Sequence, residues 1–224
     1  MRIYIEAIIL YSVLFLSGTA GALININAGA DQTPERFQVY NELIKVLFYC
    51  IPALILIWYL ALKDKPVSDW KIKPVKNDLL VFVITLPALL LIGFSISSAS
   101  NIYGETRAEL TLYPPSGFLQ WLVLCVSCIS AAYLEESFFR FYLLTNRTEM
   151  KINDASALVL STALFAICHI YEGPWGFLNS ILSGVFLAFI FLRRNSIHGI
   201  AFAHGLYNIA VFTLTAFVKR GLVT

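Results

Sequence analysis

Seven stretches of predominantly apolar residues, each about 20 long, dominate this chain, and that is the length a helix needs to cross the hydrocarbon core of a bilayer. They lie at roughly 3–24, 42–62, 78–98, 118–144, 155–171, 174–192 and 196–218. The runs carry neither the period-2 nor the one-sided helical pattern of soluble elements. Apolar residues make up 58% of the chain and charged residues 13%, against about 45–50% and 25% in soluble domains. The expected fold is therefore all-α, a polytopic transmembrane bundle of about seven spans, with six to eight compatible with the same pattern. No stretch reads as a second, water-soluble domain.

The first run follows Arg2 and contains the small residues Ser17 to Ala22, but its apolar stretch is longer than a signal-peptide core, so it reads as a retained helix. Pro52 and Pro87 fall inside the second and third runs, which membrane helices tolerate when neighbours satisfy the freed carbonyls. Cys50, Cys125, Cys128 and Cys168 all lie in apolar runs, so they form no secreted-type disulfide framework. Cys125 and Cys128 make a CxxC without a second pair or a neighbouring histidine and read as small apolar helix residues.

Orientation follows from the sixteen Lys and Arg residues. With the N-terminus inside, Arg2, Lys63, Lys65, Lys71, Lys73, Lys76, Arg147, Lys151, Arg193 and Arg194 fall on the inner side. Arg36, Arg107, Lys219 and Arg220 fall outside, the last two as a misfit, while Lys45 and Arg140 lie within spans. The positive-inside rule thus favours a cytoplasmic N-terminus, and a chain this short reads as an integral protein of a prokaryotic cytoplasmic membrane. The basic loop from Lys63 to Lys76 would suit anionic lipid headgroups or a partner, but an orientation signal is the plainer reading. There is no repeat and no nucleic-acid signature; oligomeric state is not legible.

Ionisable residues inside membrane spans are costly and by default functional. The fourth run holds Glu135, Glu136 and Arg140. Adjacent glutamates lie about 100° apart on a helix, whereas Glu136 and Arg140, four apart, share a face and can pair. Glu135 is left without a local cation, and a carboxylate in such a low-dielectric site suits general acid/base work. His169 closes the fifth run, and His204 with Asn208 makes an i, i+4 polar pair in the seventh. Any one cluster could be a helix-packing hydrogen bond, worth about 1 kcal/mol in a membrane. Three clusters on three helices could hold and activate a water molecule. His198, beside Arg193 and Arg194, reads as interfacial. Ser180, Gly184 and Ala188 form a small-residue packing ridge. Glu172 and Asn179 flank the Gly173-Pro174-Trp175-Gly176 turn and could line an entrance, although Glu172 is equally well a plain loop residue.

Glu135-Glu136-Ser-Phe-Phe-Arg140 resembles the EExxxR motif of the CPBP family, the CAAX proteases and bacteriocin-processing (Abi) proteins. Phe165-xxx-His169 is similar to its FxxxH motif, and His204-xxx-Asn208 to its HxxxN motif. The resemblance covers about residues 118–215 and divides the chain into an N-terminal part (1–117, three spans), a catalytic core (118–218, four spans) and a tail (219–224). It implies an intramembrane endopeptidase acting on a peptide or protein at the membrane. Glu135 would activate water with the help of His169, His204 and Asn208 would stabilise the oxyanion, and Glu136, Arg140 and Phe165 would support them.

A divalent metal, zinc above all, is conceivable on Glu135, His169 and His204, although HExxH is absent and no obligatory metal is expected. Two other classes compete with the enzyme: a non-catalytic peptide-binding or bacteriocin self-immunity protein, and a proton-coupled transporter, for which the internal symmetry is lacking. One tension stands in the spacing. Glu135 lies roughly 14 Å from the inner end of its span and His169 some 21 Å along its own, about one turn too deep to meet it.

Overall fold

The computed structural model describes residues 2–27, 37–66, 73–103 and 115–221, and these hold helices and connections but no strand. Helix α1 runs Arg2–Tyr11, passes through a π-helical turn Ser12–Leu16 and continues as Ser17–Asn27. Helix α2 is built likewise from Val39–Ile44, a π turn Lys45–Cys50 and Ile51–Leu62, with Pro52 just after the π turn. Helix α3 spans Lys76–Tyr103 and carries Pro87 inside it. Helix α4 comprises Phe118–Glu136, a π turn Ser137–Tyr142 and Leu143–Thr145. Then come α5 (Asp154–Ile167), a 3₁₀ turn Ile170–Glu172, α6 (Gly173–Arg194) and α7 (Ile197–Gly221).

Six of these helices are long and apolar enough to cross a membrane; α5 is not. Its 14 residues span about 21 Å, short of a hydrocarbon core of about 30 Å. The bundle is thus polytopic with six to seven spans, and the expected fifth run, 155–171, is helical only as far as Ile167. Large apolar side chains such as Ile8, Val13, Phe48, Ile55, Leu79 and Phe94 are exposed, while Leu10, Ile57, Val81 and Leu89 are buried. An outward apolar face of this extent is a liability in water and the solvated surface in lipid.

Helix α7 packs between α3 and α4, α5 packs on α6, and α3 also contacts α6. Helix α1 closes the other side: Tyr11 and Phe15 stack among Phe138 and Phe139 of the α4 π turn. At the end of the bundle where the connections 63–66, 146–153 and 195–196 lie, Glu6 gathers Arg2 (2.8 Å), Lys63 (2.9 Å) and the Tyr142 hydroxyl (3.3 Å). Lys65 donates to Asn146 at 3.2 Å, so the first lysines of the basic loop are held by the protein itself; residues 67–72 lie outside the described ones. Asn153 caps α5 by accepting from Ser156 N at 2.8 Å, and Asn195 ends α6 in the left-handed conformation (φ +51°). Asp78 ties the start of α3 to that of α7, accepting from Val75 N (2.7 Å) and from the Ser196 hydroxyl. All four cysteines are free thiols, three of them buried.

Candidate active site

Glu135 and Glu136 sit where α4 passes from α-helical to π-helical winding, a local irregularity that recurs at functional sites. Neighbours in sequence, they meet different surroundings. Glu136 is fully buried, and its Oε1 accepts from Arg140 Nη1 at 3.2 Å and from His204 Nδ1 at 2.8 Å. Arg140 is equally buried; Nη2 donates to the Gly184 carbonyl at 3.3 Å and the guanidinium lies 4.4 Å from the Phe165 ring centroid. A Cβ on Gly184 would stand 3.2 Å from both the Phe165 ring and the Thr162 methyl, and 3.7 Å from Arg140 Nη2. The middle of the small-residue ridge thus lets Phe165 and Thr162 of α5 pack closely on α6, beside the carbonyl that Arg140 reaches. A buried charge costs several kcal/mol unless paired and hydrogen-bonded; Glu136 is paired through Oε1, while its Oε2 and Arg140 Nε are buried without a hydrogen-bond partner.

Glu135 has no such partner. Its side chain is 20% exposed, and Oε2 is buried without a hydrogen-bond partner. The nearest cationic candidate is His204 Nε2 at 3.8 Å, beyond hydrogen-bonding distance. His204 therefore stands between the two glutamates, Nδ1 on Glu136 and Nε2 facing Glu135.

His169 lies past the end of α5 in the sparsely populated bridge region (φ −108°, ψ 9°). Its Nδ1 is 2.8 Å from the Phe165 carbonyl oxygen. A carbonyl only accepts, so Nδ1 carries the proton and Nε2 of the neutral ring is an acceptor. The depth tension resolves here. Ser161 donates to the Phe139 carbonyl at 2.7 Å, which brings Phe165, one turn on, level with Glu135, one turn back along the antiparallel α4. His169 is a turn beyond that level, but the helix has ended and its ring folds back over Phe165, with centroids 4.6 Å apart. Phe165 also lies edge-on to His204 at 6.0 Å, so this one ring touches Arg140 and both histidines.

Asn208 follows His204 by one turn on the same face of α7 and is half-buried. Asn179 accepts from the Tyr207 hydroxyl at 3.4 Å. His198 sits apart in the first turn of α7, its Nδ1 3.3 Å from the Tyr133 hydroxyl. Glu172 is the residue the sequence undervalued. It is close enough to His169, Glu135 and His204 to interact electrostatically with each, and Gly176 leaves it room, since a Cβ there would be 2.4 Å from Glu172 Cβ and 2.9 Å from its Oε2. The nearby turn glycines were the available signal.

Residues 117–210, which contain every one of these groups in α4 to α7, match the family described as type II CAAX prenyl endopeptidase Rce1-like. That match supports assigning this segment to the CPBP family of CAAX proteases and Abi proteins. No curated protein and no solved structure matches the chain. The matched segment begins just before α4, so α1, α2 and α3 lie outside it.

For a metal in this site the candidate ligands are Glu135, His169 and His204. Among the described residues no three His, Cys, Asp or Glu side chains are grouped to hold an ion. With both Nδ1 atoms already engaged, on Glu136 and on the Phe165 carbonyl, each histidine has only its Nε2 to offer a metal, beside the Glu135 carboxylate. As they stand these side chains do not make a three-ligand site.

Proposed function

We propose that the protein is an intramembrane endopeptidase that cleaves a membrane-associated peptide or protein, with Glu135 as the base that activates water. The observation that carries this reading is the contrast between the two glutamates. Glu136 accepts hydrogen bonds from Arg140 and His204 through Oε1, whereas Glu135 accepts none from the described residues and has only His204 Nε2 as an ion-pair partner within 4 Å, at 3.8 Å. A water between Glu135 and Nε2 of His169 would find two acceptors for its protons and turn a lone pair to the substrate carbonyl.

Glu135 takes a proton as the water oxygen attacks, and the carbonyl becomes a tetrahedral oxyanion. His204 Nε2–H and the Asn208 amide donate to that oxyanion. With Nδ1–H committed to Glu136, His204 must carry its second proton to do so, and the charges of Glu135, Glu136, Arg140 and His204 then balance. As the C–N bond breaks, Glu135 returns its proton to the leaving amine. The excess of Lys and Arg on one set of connections supports a cytoplasmic N-terminus.

The test compares membrane peptides from wild-type cells with those from cells carrying Glu135→Gln, His169→Ala or Asn208→Ala, followed by cleavage of an accumulated peptide by the purified proteins. Loss of a general base costs about 10²–10⁴-fold in rate, and loss of an oxyanion donor about 10²–10³-fold. Unchanged cleavage by Glu135→Gln and His169→Ala would rule these roles out. Full biological function in the absence of any cleavage would instead favour a peptide-binding or immunity role.

A further inference from the structure

Helix α5 ends inside the bundle, where its last carbonyls cannot count on water. Two of the donors that meet them come from α1. The Tyr11 hydroxyl donates to Leu164 O at 3.0 Å, and the Thr19 hydroxyl lies 3.1 Å from Cys168 O. Between these points His169 N donates to Ala166 O at 3.0 Å and the His169 ring to Phe165 O at 2.8 Å. The backbone that aims His169 is therefore pinned on either side by α1.

We propose that Tyr11 and Thr19, on a helix outside the matched segment, are positioning residues for His169. This rests on the peptidase reading above. Thr19 also has its own i−4 acceptor, Phe15 O at 3.1 Å, the usual back-bond of a helical threonine; the Cys168 oxygen is an additional acceptor that only the tertiary fold supplies. Residues eight apart on an uninterrupted α-helix point about 80° away from each other. The π turn Ser12–Leu16 lies between Tyr11 and Thr19, and its wider winding removes rotation, so that both hydroxyls face the end of α5. Both residues are buried, and the Tyr11 ring stacks on Phe138 at 6.2 Å, so phenylalanine can keep that packing while losing the hydroxyl.

The experiment uses the full-length protein with Tyr11→Phe, Thr19→Val, the double variant and Thr19→Ser. Each hydroxyl deletion should lower kcat about three- to ten-fold, the loss of one orienting hydrogen bond, with KM unchanged, and Thr19→Ser should restore it. Independently of any activity, the ¹³Cε1 NMR signal of His169 should shift in the double variant while that of His198 stays in place. An unmoved His169 signal overturns the proposal, as does an unaltered kcat in the double variant of an active enzyme. A wild type without peptidase activity would sink the peptidase reading, and the NMR signal would still decide whether α1 positions His169.

Discussion

Replacing Arg140 by methionine keeps most of the side-chain volume and removes the charge that faces Glu136. Both residues are fully buried and 3.2 Å apart, so the variant leaves a carboxylate in a low-dielectric site with His204 as its remaining partner. It also removes the side-chain donor 3.3 Å from the Gly184 carbonyl and the cation over Phe165. Breaking a buried ion pair by deleting one member costs about 3–5 kcal/mol. For a chain of this size that corresponds to roughly 6–20 °C in Tm, at about 2–4 °C per kcal/mol. Thermal unfolding of the detergent-solubilised protein, followed by intrinsic fluorescence, measures it. Adding Glu136→Gln to Arg140→Met should recover part of the loss, because the uncompensated charge disappears with it. An Arg140→Met Tm within 2 °C of wild type, or a double variant worse than the single by the full cost of a second deletion, would refute the claim that this pair is mutually compensating.

Two further outcomes follow from the same geometry. Gly184→Leu places carbon where a Cβ alone already stands 3.2 Å from Phe165 and Thr162; overpacking of this kind costs about 1–3 kcal/mol, and both the Tm and the Phe165-supported activity should fall, whereas Ala188→Gly should leave Arg140's contact with the α6 backbone intact. Because the site is read as working through Glu135 itself, exhaustive treatment with a membrane-permeant chelator should leave cleavage of an accumulated peptide at its untreated rate; abolition reversed by added zinc would assign the water to a metal instead.

Much of the bundle was legible because a bilayer imposes a length and an apolarity on every span, and both can be read without knowing what packs on what. The i, i+4 spacing of Glu136 and Arg140 likewise announced their pairing, since a helix brings such residues to one face. The end of α5 was not legible. Apolar residues continue through Ile170 and Tyr171, and hydropathy cannot distinguish helix from a turn whose carbonyls are met by other helices. For the same reason the depth of His169 seemed wrong by a turn. Glu172 read as an ordinary loop residue because its nearness to Glu135 and both histidines arises only when the 3₁₀ turn folds back over the site.

By itself, the sequence determined that this chain lives in a membrane, that three of its apolar runs carry a polar cluster each, and that those clusters match a protease family over residues 117–210. Only the tertiary structure decided which glutamate is paired with Arg140 and His204 and which accepts no hydrogen bond from the described residues. That choice depends on where His204, Arg140 and the Gly184 carbonyl converge. In a low-dielectric interior it is the position of the counter-charge, not the identity of the residue, that separates a structural carboxylate from a reactive one.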